Sequence, residues 1–208
     1  MIMGKEINLL SNYPKSKRDI TYRAKNKNEN VRTIARKFGK EFFDGSRDYG
    51  YGGFSYNPKF WTKVVRDFKD FYNLKNNAKI LDVGCAKGFM LHDFKLLNEN
   101  FQIYGIDISE YAIKNCHPSV KDFVKIGNAK KIDYPDNYFD LVISINSVHN
   151  LDFENCKKAL KEIQRVSKKN SFITVDAFRS QEEKEAMFDW NLTAQTILSV
   201  DDWIKLLK

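Results

Sequence analysis

Residues 79–90, Lys79-Ile80-Leu81-Asp82-Val83-Gly84-Cys85-Ala86-Lys87-Gly88-Phe89-Met90, constrain the fold of this chain more than any other stretch. An apolar run of strand length reaches an acid, turns at a glycine and continues into a helical pattern. A strand feeding directly into a helix opens a βαβ unit, and such units build parallel sheets covered on both faces. Gly84 lets the backbone turn sharply and approach a ligand with no side chain in the way. Gly88 permits close passage at the helix start, and the small Ala86 between them keeps the crevice open.

The alternation continues. Strands are expected at 78–83, 102–106, 123–126, 139–145 and 171–175, and helices at 88–97, 110–115 and 153–167. The fold class is α/β, doubly wound around a mostly parallel sheet. Ser180 and Glu183 form a capping box for a helix to 190, 193–198 is apolar enough for a short strand, and Ser199 caps a last helix. Upstream, Val31, Ile34, Ala35, Phe38 and Phe42 recur at helical spacing, and Pro58 opens a second helix. Between them lies a loop rich in glycine and tyrosine. Residues 1–28 are polar and are expected to form a mobile arm.

Charge is unevenly placed. The net charge is +8, and residues 1–40 hold 11 Lys/Arg against 3 Asp/Glu, while the remainder is balanced at 24 of each. The arm therefore suits an anionic substrate, a nucleic acid or a membrane surface, or is a solvated basic tail. Cys85, Cys116 and Cys156 lie far apart without C-x-x-C spacing and only three histidines are present, so neither a metal site nor a disulfide framework is expected. No apolar run is long enough to span a membrane, and the N-terminus lacks a signal pattern, so a cytoplasmic location is expected.

The turn D-x-G-x-A-x-G resembles the first motif of the class I S-adenosylmethionine (SAM)-dependent methyltransferases, D/E-x-G-x-G-x-G, and departs from it at Ala86. Three further segments extend the resemblance. A second strand ends in Asp107, 25 residues after Asp82. Gly127-Asn128-Ala129 follows the third strand, and Tyr134-Pro135-Asp136-Asn137-Tyr138-Phe139-Asp140-Leu141 leads into the fourth. Together they cover roughly residues 77–177. The missing G-x-G-x-x-G speaks against a dinucleotide cofactor.

The resemblance implies a Rossmann-like fold, SAM as cofactor and S-adenosyl-L-homocysteine (SAH) as product. The expected boundaries are 1–28 for the arm, 29–75 for the N-terminal helices and lid loop, and 76–208 for the SAM-binding domain. Asp82 would face the cofactor's ammonium group, and Gly84, Cys85, Ala86 and Gly88 would form the loop beneath it. Asp107 would hold the ribose hydroxyls, as an acid at this strand end does in related folds. Ile108 would pack on the adenine, Asn128 with Ala129 would meet its amino group, and Asn146 would touch the cofactor. His149, just beyond the fourth strand, is the candidate general base. Arg47, Tyr49, Tyr51 and Tyr56 are candidate lid residues, and Asn150 a candidate substrate contact. The family's usual C-terminal antiparallel strand pair is missing or shortened here, which would expose a sheet edge to the N-terminal helices or to a second copy of the chain. The expected reaction is methyl transfer to an O or N atom of a small polar acceptor, such as a sugar or other metabolite. The alternatives are a catalytically inactive methyltransferase-like subunit and an RNA methyltransferase using the basic arm.

Overall fold

The computed structural model describes residues 5–15 and 19–207. Its main sheet contains β1 (Lys79–Val83), β2 (Gln102–Asp107), β3 (Val124–Ile126), β4 (Phe139–Ile145) and β5 (Ser167–Thr174), all parallel, in the order β3-β2-β1-β4-β5. The order reverses between β1 and β4, and a crevice opens there beyond the carboxyl ends of the strands.

Strand periodicity sorts the core into two layers. Ile80, Ile103, Leu141 and Ile143 face the helices α4 (Pro58–Phe71) and α5 (Phe89–Leu97), against Val64, Val65, Phe68, Leu91 and Phe94. Leu81, Val83, Phe139 and Val142 face α7 (Phe153–Val166) through Ala159, Leu160 and Ile163. Successive strand residues point to opposite faces, so a sheet buried on both sides is apolar at nearly every central position. The short helix α6 (Glu110–Lys114) begins at Ser109, whose hydroxyl accepts the Ala112 N–H at 3.0 Å.

Three features differ from the sequence expectation. β5 starts at Ser167 rather than 171, because Lys168 and Lys169 occupy exposed positions of an edge strand where polar side chains meet no packing demand. The helix expected over 30–43 is broken into α2 (Glu29–Ala35) and α3 (Lys40–Asp44), since Phe38 takes a positive φ of 49° and Gly39 follows it.

The described part of residues 1–28 is docked, in place of the expected mobile arm. Leu9 is buried in the core beside Ile7, Leu10 and Tyr13, and Tyr13 packs against the rings of Phe60 and Trp61 at 5.2 and 4.8 Å. The helix α1 (Ile20–Asn26) lies against α8 (Gln181–Trp190). Scattered apolar side chains without helical period still bury surface when they lie along the face of another helix.

At the C-terminal end, no antiparallel pair extends the sheet among the described residues. Instead β6 (Ala177–Phe178) and β7 (Leu198–Ser199) form a separate two-residue parallel pair. The final helix α9 (Val200–Leu206) buries Trp203, whose indole N–H donates to the Asp176 carbonyl at 3.0 Å.

Candidate cofactor and active site

The crevice at the β1/β4 reversal is a cavity of about 300 Å³. Its floor is the Gly84–Gly88 turn. Gly84 has a φ of +85°, and a Cβ there would lie 2.1 Å from Ser147 Oγ, so only glycine fits. The N–H groups of Gly84 and Cys85 both donate to the Ile106 carbonyl, at 2.8 and 3.1 Å, which pins the turn to β2. Ala86 also has positive φ, +49°, which explains why resembling sequences often place glycine there.

Two acids stand behind this turn. Asp107 is 9% exposed and faces the cavity; its Oδ2 accepts the Ala86 N–H and its Oδ1 the Ser109 N–H, both at 2.8 Å. A carboxylate offers about four acceptor sites, so each oxygen keeps one for a ligand. Burial raises its pKa, and the two N–H bonds offset part of that rise. Asp82 is 6% exposed, and its carboxylate meets no hydrogen-bond donor among the described residues. Burial, and then the charge of Asp107, push its pKa up to about 7. An enclosed carboxyl with no partner, beside a second acid, favours a cationic group as neighbour.

The walls follow from the next two strand ends. Ile108, 56% exposed, offers an apolar face to the cavity, and Gly127, Asn128, Ala129 and Lys130 line the same side. Asn128 spends one lone pair of Oδ1 on the Lys130 N–H at 3.0 Å, leaving the other. Beyond β4, Asn146 sits at a φ of +50°, and its Oδ1 accepts the Thr174 hydroxyl at 3.0 Å. Asn150 donates to the Asn146 carbonyl at 3.2 Å, while its Oδ1 is buried with no partner.

Aromatic side chains from the N-terminal region close the cavity. Phe38, Phe42, Phe43 and Tyr51 all line it, and Tyr51 packs against Phe42 edge-on at 5.2 Å. The sequence reading assigned Phe38 and Phe42 to a helix face and missed their part in the site. Their signal was the short spacing to the tyrosine-rich loop, which brings both segments over one crevice.

The cavity therefore gathers Gly84, Ala86, Asp107, Ile108, Asn128, Ala129, Asn146, Asn150 and Tyr51 from the expected set. Other candidates lie elsewhere. The side chain of Cys85 is buried in the α4/α5 layer, and Gly88 is the αL cap of α5, where a Cβ would strike Val120 at 2.7 Å. Arg47 donates to the Tyr51 carbonyl at 3.0 Å and so shapes the loop from behind. Tyr49 closes a turn through its N–H to the Ser46 carbonyl and does not line the cavity. Tyr56 packs on His92 and His117, with its hydroxyl toward Asp93 at 3.4 Å.

His149 corrects the expected general base. It is 3% exposed and is not part of the cavity lining. Its Nδ1 accepts the Asp176 backbone N–H at 2.7 Å, and its carbonyl accepts the N–H groups of Gln195 and Thr196 at 3.0 Å each. With Nδ1 used as acceptor, the neutral ring carries its proton on Nε2 and has no free lone pair to take another. Burial lowers its pKa, against the raising effect of Asp176. In this geometry His149 braces the C-terminal segment.

The residues present fit SAM. Its ribose diol suits the spare acceptors of Asp107 and its adenine suits the apolar wall at Ile108 with an amide at Asn128, while Asp82, expected to face its ammonium, stands behind the turn and is not part of the cavity lining.

Comparison with known proteins agrees. Residues 74–207 match the family model described as a methyltransferase domain. A tRNA (carboxymethyluridine(34)-5-O)-methyltransferase of Arabidopsis thaliana is 32% identical over 148 residues, 69% of this chain and 34% of that protein. A demethylmenaquinone methyltransferase of Symbiobacterium thermophilum is 29% identical over 152 residues, 69% of this chain and 59% of that protein. The chain thus spans about a third to three fifths of the length of these relatives. A Bacillus halodurans structure assigned to the methyltransferases shares the fold, with a TM-score of 0.54, 18% identity, and coverage of 69% of this chain and 66% of that one. With a family model over most of the chain and the family's topology around a fitting cavity, this protein belongs to the class I SAM-dependent methyltransferases.

Proposed function

We propose that this methyltransferase moves the methyl group of SAM to an O or N atom of a small polar acceptor. The observation that carries the reading is the cavity itself. It is enclosed by Phe42, Phe43 and Tyr51 on one side and by the amides of Asn146 and Asn150 on the other. Small-molecule sites are concave and largely apolar, with a few placed polar groups that set orientation.

Bound SAM supplies an activated methyl group on a sulfonium centre. The work of the protein is to place the acceptor in line with that group and to exclude water. The unpartnered Oδ1 of Asn150 suits an acceptor hydroxyl or amine as donor. The aromatic faces of Phe42 and Tyr51 favour a cationic centre nearby.

A second reading, RNA as acceptor, draws on the relative named as a tRNA methyltransferase. The basic N-terminal region gives it less support than its charge suggests. Arg23 donates to the carbonyls of Arg47 and Asp48, Lys27 to those of Phe188 and Asp189, and Arg36 to that of Thr193. These cations hold the fold together. The test is transfer of label from methyl-tritiated SAM, run in parallel on total tRNA and on a desalted small-metabolite extract. Label in the metabolite fraction supports the small acceptor; label confined to tRNA overturns it in favour of the second reading.

A further inference from the structure

The Gly84–Gly88 turn contains one side chain that reaches away from the cavity floor and up to its cover. Lys87 is 7% exposed. Its ammonium donates to both carboxylate oxygens of Asp44, at 2.8 and 2.7 Å, and to the Phe54 carbonyl at 2.7 Å. An ammonium has three protons, and these three acceptors account for all of them. A buried lysine is costly unless it is paired and fully hydrogen-bonded. Lys87 meets that condition only while Asp44 and Phe54 are in place.

Asp44 closes α3, the helix that carries Phe42 and Phe43 into the cavity. It accepts two further bonds besides its ion pair, from the Phe54 N–H at 3.0 Å and from the Tyr111 hydroxyl at 2.7 Å, both on the same carboxylate. Burial would raise its pKa, but the bonds from Lys87, the Phe54 N–H and Tyr111 bring it down to about 2. The loop after α3 is tied to the helix in turn, through Tyr51 N–H to the Phe42 carbonyl at 2.9 Å and Gly53 N–H to the Phe43 carbonyl at 3.2 Å. The cover therefore moves as one piece, and Asp44 and Phe54 join it to the loop beneath the cofactor.

We propose that Lys87 is a positioning residue that latches the aromatic cover of Phe42, Phe43 and Tyr51 shut over the bound cofactor, through Asp44 and the Phe54 carbonyl. The latch sets how long the cofactor stays bound and leaves the chemistry of methyl transfer to other groups. This rests on the reading of the cavity as the SAM site. Opening the cover breaks the ion pair and the bond to the Phe54 carbonyl together, three charge-assisted hydrogen bonds at one point, which favours the closed form. Lids of this kind govern ligand release in many enzymes.

The test uses the full chain with SAH as probe, in stopped-flow release and calorimetric binding, on wild type, Lys87→Met and Lys87→Arg. Lys87→Met keeps the length of the side chain and removes its charge. The expected result is release of SAH faster by roughly tenfold, the factor that about 1.4 kcal/mol represents, with the association rate little changed. Lys87→Arg restores slow release, because the charge and donors return. SAH should also protect the 45–53 loop from proteolysis in wild type and not in Lys87→Met. Release at the wild-type rate from folded Lys87→Met overturns the latch. If Lys87→Met fails to fold, Tyr111→Phe removes a single bond to Asp44, and faster release there supports the latch while unchanged release overturns it. Failure of wild type to bind SAH at all overturns the cofactor site and the latch together, and is told apart by the wild-type titration alone.

Discussion

Asp107 and Ala86 are joined by a 2.8 Å hydrogen bond from the Ala86 N–H to the Asp107 carboxylate, which locks the end of β2 to the turn after β1. The same carboxylate faces the cavity, so one acid both builds the turn and is placed to meet a ligand. Asp107→Asn keeps the volume and loses the charge. Hydrogen bonds to charged groups contribute about 1.5–3 kcal/mol, so SAM binding should weaken by roughly 10- to 150-fold. Asp107→Ala should cost more, because the Ala86 and Ser109 N–H groups both lose their acceptor, where the single amide oxygen of Asn keeps one. Calorimetric titration with SAM checks both, and wild-type affinity in Asp107→Asn would remove Asp107 from the site.

We expect Asp82, the buried acid behind the turn, to make SAM affinity depend on pH. Its pKa is raised to about 7 in the free protein, so it is largely neutral below that value. A bound ammonium favours the ionised form, and binding then releases a proton. By linkage, affinity rises with pH through about 7. Titrations at pH 6, 7 and 8 in buffers of different ionisation heat measure the release directly. Asp82→Asn should bind more weakly and lose the pH dependence; an unchanged dependence would assign it to another group.

Ala86→Gly should stabilise the fold. An L residue in the left-handed region costs roughly 1–2 kcal/mol, and glycine loses about 0.4–1 kcal/mol of that gain through its more flexible unfolded chain. The expected net gain is about 0.5–1 kcal/mol, read from urea unfolding. Destabilisation would show that the methyl group of Ala86 makes packing contacts that outweigh its backbone strain.

His149 should matter for stability more than for chemistry. His149→Ala leaves the Asp176 N–H without its partner, a loss of about 1–3 kcal/mol. His149→Gln, whose amide oxygen can accept that N–H, should keep methyl transfer. The folded pKa lies below the ordinary 6.5, so the contribution of His149 is fully present above that value. It is lost as pH falls through the lowered folded value, because the unfolded ring binds its proton first. Melting temperatures from pH 5 to 8 should show this slope in wild type and not in His149→Gln. Abolished transfer in a folded, SAM-binding His149→Gln would restore the histidine as general base.

The turn and the strand-end acid that line the cavity were legible in the sequence because local chemistry dictates them. Gly84, Ala86 and Asp107 sit where a strand ends and a turn begins, where positive φ calls for glycine or a small residue and free backbone N–H groups call for an acceptor. The aromatic cover was not legible. Phe38 and Phe42 read as parts of one apolar helix face, but the helix breaks at Phe38; that Phe38, Phe42 and Phe43 together cover a ligand cavity depends on α3 docking beside α6. His149 shows the opposite error: its place after β4 suggested a base, and its ring turned out to be committed to the backbone of Asp176, 27 residues away in sequence.

The sequence by itself determined the parallel sheet, its two apolar layers and the glycine turn at the cavity floor. Hydrophobic period and strand-end residues act over a few positions and need no distant partner. Only the tertiary structure decided which side chains meet across the cavity, that Arg23 and Lys27 of the basic arm donate to carbonyls of the fold, and that Lys87 reaches Asp44. Those pairings join segments tens of residues apart, and their energy depends on burial, which no local pattern encodes.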